Sequence, residues 1–366
     1  MKLLSSLDVS GKKVFLRADL DVSIADVNSK QESIRLQNLK PTVDWLLEHG
    51  AKQIVIAGHI DRPEKPDPTL STKNLLGPLE NILGQKIVFK GDFESDKYSS
   101  SEVEKISIGS SPPFDFALYQ TVPGFAQGRT INRVILLENL RFWPGEEANN
   151  PDFAKQLATL SDVYINDAFG VSHRAHASMV GVPLLLPHAA GLHLAREIEE
   201  LSKLLKAPQR PFVAIVGGAK IETKMPVISH LAKVADQVLV GGELPLEIKA
   251  SGKSFSENVY VGTLTADNKE LSEESAKRFL ESIRVAKTIV WNGPTGVFEE
   301  GFDKVSLAIA DAIFASGAHS VVGGGETTQF LAQSGLLPKF SFVSSGGGAM
   351  LEFLAGRELP GIKALE

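Results

Sequence analysis

Short runs of aliphatic and β-branched residues alternate along the chain with longer stretches in which apolar positions recur every three or four residues. Continuous apolar runs suit strands buried on both faces, and the longer spacing suits helices with one buried stripe. Their alternation predicts βα units stacked on parallel sheets. In the first half the predicted strands are VFLRAD (residues 14–19), QIVIAGH (53–59), RVILLEN (133–139) and VYINDAF (163–169). In the second half they are PFVAIVGG (211–218), QVLVGG (237–242), TIVWNGP (288–294), SVVGGG (320–325) and SFVSSGGG (341–348). Helical spacing marks PTVDWLLEHGA and DKVSLAIADAIFASGA, the latter with a glycine suited to a helix C-terminus. GLHLAREIEELSKLLKAPQRP reads as one helix stopped by proline and is expected to connect the two halves. The expected fold is α/β: two doubly wound, Rossmann-like domains with parallel sheets, residues 1–190 and 208–345, joined by a connector helix over residues 191–207. Residues 91–129, rich in Ser and containing Pro112 and Pro113, read as loop.

Composition narrows the classes. A chain of 366 residues, 43% hydrophobic and 22% charged, can bury two cores and is ordinary for a globular protein. Its net charge of −6 does not favour nucleic acid as a partner. The absence of Cys rules out disulfides, thiolate metal sites and a cysteine nucleophile. The first residues lack a signal-peptide core and no run reaches the length of a membrane span, so no membrane partner and a cytoplasmic location are expected.

In open parallel sheets ligands bind at the carboxyl ends of the strands, and there the two halves differ. In the first half those ends carry Arg17 and Asp19, His59 and Arg62, Glu138, Asn139 and Arg141, and Asn166 and Asp167 shortly before His173, Arg174 and His176. Any one Arg is best explained by pairing with a neighbouring carboxylate. Several at one rim, each a planar fork suited to carboxylate or phosphate, point to a small, multiply anionic ligand. His173-x-x-His176 would allow zinc only with further ligands, which helical spacing does not supply, so structural hydrogen bonding is the better account. Asp19-x-Asp21 is open to Mg²⁺ or to a salt-bridged strand end beside Arg17. In the second half the strand ends are glycine: Gly217 and Gly218, Gly241 and Gly242, Gly293, Gly323 to Gly325, and Gly346 to Gly348. Glycine lets a ligand approach the backbone, and a following helix N-terminus offers N–H groups to phosphate. Tight turns explain one or two such sites; five point to a nucleotide, with Lys220 and Lys224 as nearby cations.

A cation-rich rim and a glycine-rich rim together suggest phosphoryl transfer between two ligands. The segment LLENLRFWPGEEANNPDFAKQLATLSDVYINDAFGVSHRAHASMVGV (residues 136–182) closely resembles the phosphoglycerate kinases, as do RPFVAIVGGAK, KTIVWNGPTGVFE, SVVGGGETT and SSGGGAMLEFLAGRELPGI. The resemblance implies a monomeric two-domain enzyme that moves a phosphoryl group between ATP and the carboxylate of 3-phosphoglycerate, with Mg²⁺, ATP/ADP as co-substrate, and residues 346–366 returning to the N-terminal domain. It implies that Asp19, Leu20, Asp21, His59, Ile60, Asp61, Arg62, Arg141 and Arg174 hold the phosphoglycerate, and that Arg35 there also balances charge on the phosphoryl in flight. Lys220 and Gly346, Gly347 and Gly348 would meet the transferring group. Gly218, Lys224, Asn292, Pro294, Glu299, Gly324, Gly325, Glu326 and Thr327 would hold the nucleotide, with Glu299 on the ribose and Glu326 on the metal. Domain closure about the connector is implied as well.

The chain departs from the family pattern at several points. Asp21 and Ser23 stand where the family has Asn and Pro, Asp61 and Glu243 stand for glycines, and Glu326 replaces the metal-binding Asp. The interval from Gly242 to Trp291 is shorter than usual, which predicts a missing βα segment beside the nucleotide. A non-catalytic ligand-binding relative is the alternative; retention of Arg35, Lys220 and Lys224 together speaks for an active kinase.

Overall fold

The computed structural model describes all residues except 26, 28–29 and 92–132, so the loop expected over residues 91–129 lies, but for Gly91, outside the described residues. Two compact units emerge. The first comprises Met1–Ala168, Arg174–Ala195 and Pro360–Glu366; the second comprises Phe169–His173 and Arg196–Leu359.

The first unit holds a six-stranded parallel sheet in the order β3-β4-β2-β1-β5-β6. Its strands are β1 (Lys13–Arg17), β2 (Gln53–Ala57), β3 (Ile87–Lys90), β4 (Val134–Leu137), β5 (Val163–Asn166) and β6 (His188–Ala190). Every residue of β2, β4 and β5 is buried, as expected for strands covered on both faces. Arg17 is level with Ala57 on one side and Asn166 on the other, so the residues after β1, β2 and β5 emerge at one rim. The order reverses beside β1, which places that rim's crevice at the ends of β1 and β5.

The second sheet runs β12-β11-β10-β7-β8-β9. Its strands are β7 (Phe212–Val216), β8 (Gln237–Val240), β9 (Val259–Val261), β10 (Thr288–Asn292), β11 (His319–Gly323) and β12 (Phe342–Val343). Counted within the unit, this is the 3-2-1-4-5-6 order of the dinucleotide-binding fold, with its switch point between β7 and β10. Between Gly242 and Trp291 the alternation persists: helix Leu244–Ser251, then β9, then helix Glu273–Val285. The expected loss of a βα segment therefore does not break the strand–helix order of this sheet.

Predicted strands overshoot at their carboxyl ends. VFLRAD predicts a strand to Asp19, whereas β1 stops at Arg17, because the chain leaves the ladder where its polar side chains must spread over the rim. The connector is the helix Leu192–Lys206, with Leu194, Leu201 and Leu204 fully buried. Helix Lys304–Ser316 ends on Gly317 at φ 64°, the left-handed cap its sequence announces. At the chain's end, Pro360–Glu366 belongs to the first unit: Lys2 N–H donates to Leu365 O at 3.3 Å and Asn166 Nδ2 to Gly361 O at 3.2 Å.

Candidate functional site

In the first unit a buried polar network fixes the chemistry of the rim. Arg17 is fully buried. Its Nε donates to Ser178 Oγ at 2.8 Å, its Nη1 to Ala18 O at 2.5 Å, and its Nη2 lies 3.0 Å from His59 Nδ1. Guanidinium is a donor only, so Nδ1 of His59 must accept and the ring proton sits on Nε2. Burial, reinforced by Arg17 and Arg141, pulls the His59 pKa well below its ordinary value and keeps the ring neutral. Nε2, 3.8 Å from Asp21 Oδ2, is thus presented as a neutral donor. Glu146, completely buried, closes the network by accepting from Ser178 N at 2.9 Å and Ser178 Oγ at 2.5 Å. Burial raises its pKa while Arg17 opposes the shift.

The loops after β1 and β2 are tied together above this network. Asp21 Oδ1 accepts the Asp61 N–H at 2.8 Å, Arg35 Nη1 donates to Asp21 O, and Arg141 Nη1 donates to Asp61 O at 2.6 Å. Burial raises the Asp21 pKa, and the Asp61 amide, Arg35 and Arg141 offset part of that rise. Asp61 sits at φ 54°, a conformation a glycine adopts without strain, and its carboxylate accepts the Arg62 N–H at 2.8 Å. Arg141 Nε also lies 3.0 Å from Glu147 Oε1. Asn139 Nδ2 holds the second loop through Ile60 O at 2.8 Å and Leu70 O at 2.9 Å.

Asp19 Oδ1 accepts the Asp21 N–H at 3.4 Å, so Asp19, His59 and Arg141 are gathered with Asp21, Asp61 and Arg35, while Arg62 and Arg174 are exposed. Leu20 and Ile60 are buried in the core and can meet a ligand only through the main chain. Asn166 and Asp167 are spent on the fold: Asn166 Oδ1 accepts Ala168 N–H at 3.0 Å, and Asp167 Oδ1 accepts His193 N–H at 2.9 Å and Leu194 N–H at 3.1 Å. Among the described residues no three His, Asp or Glu side chains form a metal cluster, so His173 and His176 find no third side chain to complete a zinc site.

In the second unit the switch point is built from backbone. Gly217 N–H donates to Asn292 O at 2.9 Å and Gly218 N–H to Pro294 O at 2.8 Å. A Cβ at Gly217 would collide with the Pro294 carbonyl oxygen, and one at Gly293 with the Gly217 carbonyl oxygen. Lys220 precedes the helix Ile221–Val234 at φ 66°, a strained position for a lysine. Lys224 is buried and donates to Asn292 Oδ1; desolvation lowers its pKa to about 8, against the pull of Glu326. An incoming phosphate would raise that pKa again and hold the ammonium charged. Thr327 Oγ1 accepts Gly293 N–H at 2.7 Å. Gly324 precedes the helix Gly325–Gln333, whose first turn carries Glu326. Gly346 precedes the helix Gly347–Leu354 and packs on the Phe169 ring.

Beside the switch point lies a cavity of about 210 Å³. Of the expected residues, Gly218, Pro294, Glu299 and Glu326 line it, together with Glu243. Asn268 and Lys269 line it too, and the sequence does not mark them, because a polar pair in a short loop looks like an ordinary solvated tip. Only the shortened interval around them was a signal.

The phosphoglycerate kinase family profile matches residues 4–271 and 267–357, two segments that overlap at 267–271. The phosphoglycerate kinase of Desulforudis audaxviator is 35% identical over 413 aligned positions, covering 100% of this chain and 99% of the relative. That of Rubrobacter xylanophilus is 36% identical over 405 positions, covering 98% and 96%. The cytosolic phosphoglycerate kinase of Triticum aestivum is 35% identical over 416 positions, covering 99% and 97%. These alignments are longer than the chain's 366 residues, so the relatives carry residues that this chain lacks. Among solved structures, phosphoglycerate kinase from Coxiella burnetii superposes with a TM-score of 0.78 at 29% identity, covering 100% of this chain and 99% of that one. The enzyme from Pyrococcus horikoshii superposes with a TM-score of 0.77 at 27% identity, covering 100% and 98%.

Proposed function

This chain belongs to the phosphoglycerate kinase family, and on that premise we propose how its own residues divide the work. The enzyme transfers a phosphoryl group reversibly between ATP and the carboxylate of 3-phosphoglycerate, a step of glycolysis and gluconeogenesis. A carboxylate oxygen forms the new bond to the γ-phosphorus of ATP as that phosphorus loses its bond to the β,γ-bridging oxygen, which departs with ADP. The acceptor is already ionised at neutral pH, so no general base is needed and catalysis rests on placement and charge neutralisation.

Arg62, Arg141 and Arg174 supply the charge that holds the phosphoglycerate, with Asp19, Asp21, Asp61 and the main chain at Leu20 and Ile60 shaping the same rim. His59 gives a neutral Nε2–H to an oxygen of the acid, a role supported by the Arg17 bond that occupies Nδ1. Arg35 and Lys220, with the N–H groups around Gly346 to Gly348, neutralise the phosphoryl in transit. Glu299 takes the ribose, Asn292 and Pro294 shape the pocket, and Gly218, Lys224, Gly324, Gly325 and Thr327 hold the phosphates. Glu326, in the first turn of its helix, lines the cavity with Gly218, Glu243 and Glu299, a setting that fits Mg²⁺, which is usually held by one or two carboxylates plus phosphate oxygens; Glu326 is the protein ligand. When bound, the ion would screen charge between the phosphates. We also infer a monomer in the cytoplasm, supported by the family resemblance and the cytosolic wheat relative.

The observation that carries this reading is the contrast between the two strand-end rims. One presents guanidinium and imidazole groups, the other glycine backbone and helix N-termini. Arg35→Ala tests it: kcat should fall by about 10² to 10³ while the dissociation constant for 3-phosphoglycerate changes less than about tenfold. Weaker binding with kcat unchanged would assign Arg35 to ground-state binding alone.

A further inference from the structure

Between β9 and the helix Glu273–Val285 the chain makes a closed hairpin. Leu264 and Leu271 form an antiparallel bridge, Thr265 N–H donates to Glu270 O at 2.9 Å, and Ser272 N–H donates to Thr263 O at 2.8 Å. The Asp267 carboxylate accepts Thr265 Oγ1 at 2.6 Å and braces the tip. There Asn268 stands at φ 60°, exposed, and its carboxamide takes no hydrogen-bond partner among the described residues.

The hairpin is sewn to the segment that carries Glu299. Lys269 O accepts Val297 N–H at 3.0 Å, Lys269 Nζ pairs with Glu300, and the same ammonium lies 5.3 Å from the centre of the Phe302 ring. The buried Glu270 carboxylate accepts Val305 N–H at 3.2 Å. These ties hold Asn268 and Lys269 against the cavity beside Val297 and Glu299. They are also the residues where the two family-profile segments overlap, so this wall is built by the chain's own shortened loop.

We propose that Asn268, at the tip of the 263–272 hairpin that lines this cavity, determines the base selectivity of this chain. The inference rests on the assignment of the cavity to the nucleotide, with Glu299 at the ribose. A carboxamide offers an acceptor and donors in one plane, matching the N6 amino group and N7 of adenine together. Guanine presents two acceptors, O6 and N7, at the same edge, which a carboxamide cannot match with both its groups. Asparagine tolerates the left-handed backbone at residue 268, which keeps the residue at the cavity wall.

The test measures dissociation constants of the full-length protein by calorimetry for ADP, GDP and pyrophosphate, the last having no base. Asn268→Gly keeps the positive φ and so leaves the hairpin unstrained. The wild type should bind ADP about tenfold tighter than GDP. The variant should lose about tenfold for ADP, change less than about twofold for GDP, and leave pyrophosphate unaffected. Equal losses for ADP and GDP, or no loss for either, would overturn the inference. Glu299→Ala separates the two levels: if it weakens ADP and Asn268→Gly does not, the inference fails and the nucleotide site stands. If neither variant weakens ADP, the nucleotide does not occupy this cavity and both fall.

Discussion

Asp21 places a carboxylate where the family has an amide, beside a site that must hold a multiply charged acid. The structure shows both ways of containing that charge. One oxygen is occupied by the Asp61 N–H, and Arg35 and Arg141 lie close enough to offset part of the burial penalty. The side chain is still 43% exposed, and its Oδ2 lies 3.8 Å from His59 Nε2. Asp21→Asn keeps the acceptor for Asp61 and removes a like charge worth about 1 kcal/mol near water, or about fivefold in affinity. The variant should therefore bind 3-phosphoglycerate about fivefold tighter at pH 7.5. That advantage should shrink as the pH is lowered toward the raised pKa of Asp21, where the wild-type carboxyl is itself neutral. Weaker binding by the variant would make the carboxylate a required partner; no change at any pH would place it off the ligand.

At the scale of elements, the connector helix begins on a buried carboxylate. Asp167 Oδ1 caps it through His193 and Leu194, and a Cβ at Gly191 would collide with that side chain. A charge at a helix N-terminus is favourable, but complete burial outweighs it and lifts the Asp167 pKa to about 7. The unfolded chain releases this proton near pH 4 and the folded chain only near pH 7. Between those values the folded state binds more protons, so this group's contribution to stability falls as pH rises, then stays level above pH 7. Asp167→Asn keeps an oxygen for the cap and carries no charge. Its gain in urea midpoint over the wild type should grow from about pH 4 to about pH 7 and then hold constant. A wild type that is the more stable protein across that range would show that the charge–dipole attraction wins.

Elements also show what a sequence can and cannot disclose. The apolar runs of β2 and β10 are legible because every residue is buried and the pattern needs no partner to be recognised. Gly317 marks a helix end for a local reason. Asp167 does not reveal itself as a cap, because its partners lie 26 and 27 residues away. Arg17 reads as a rim cation, yet it is fully buried and acts by fixing the tautomer of His59, which depends on a contact 42 residues along the chain. Asn268 and Lys269 stayed hidden because only folding brings their hairpin to the cavity.

For the whole molecule, the strand-end contrast read from residues survives as two rims built by different means. In the first unit a buried Arg–His–Ser–Glu network orients polar side chains; in the second, glycine backbones meet at the switch point of a dinucleotide-type sheet. The central claim is that this shortened chain, with its added Asp61 and Glu243 and with Glu326 in its phosphate site, still performs the transfer. A coupled steady-state assay with ATP, Mg²⁺ and 3-phosphoglycerate tests that most directly. The account predicts saturable turnover in the range of roughly 1–100 s⁻¹ found for kinases. Binding of both ligands by calorimetry with no turnover would contradict it.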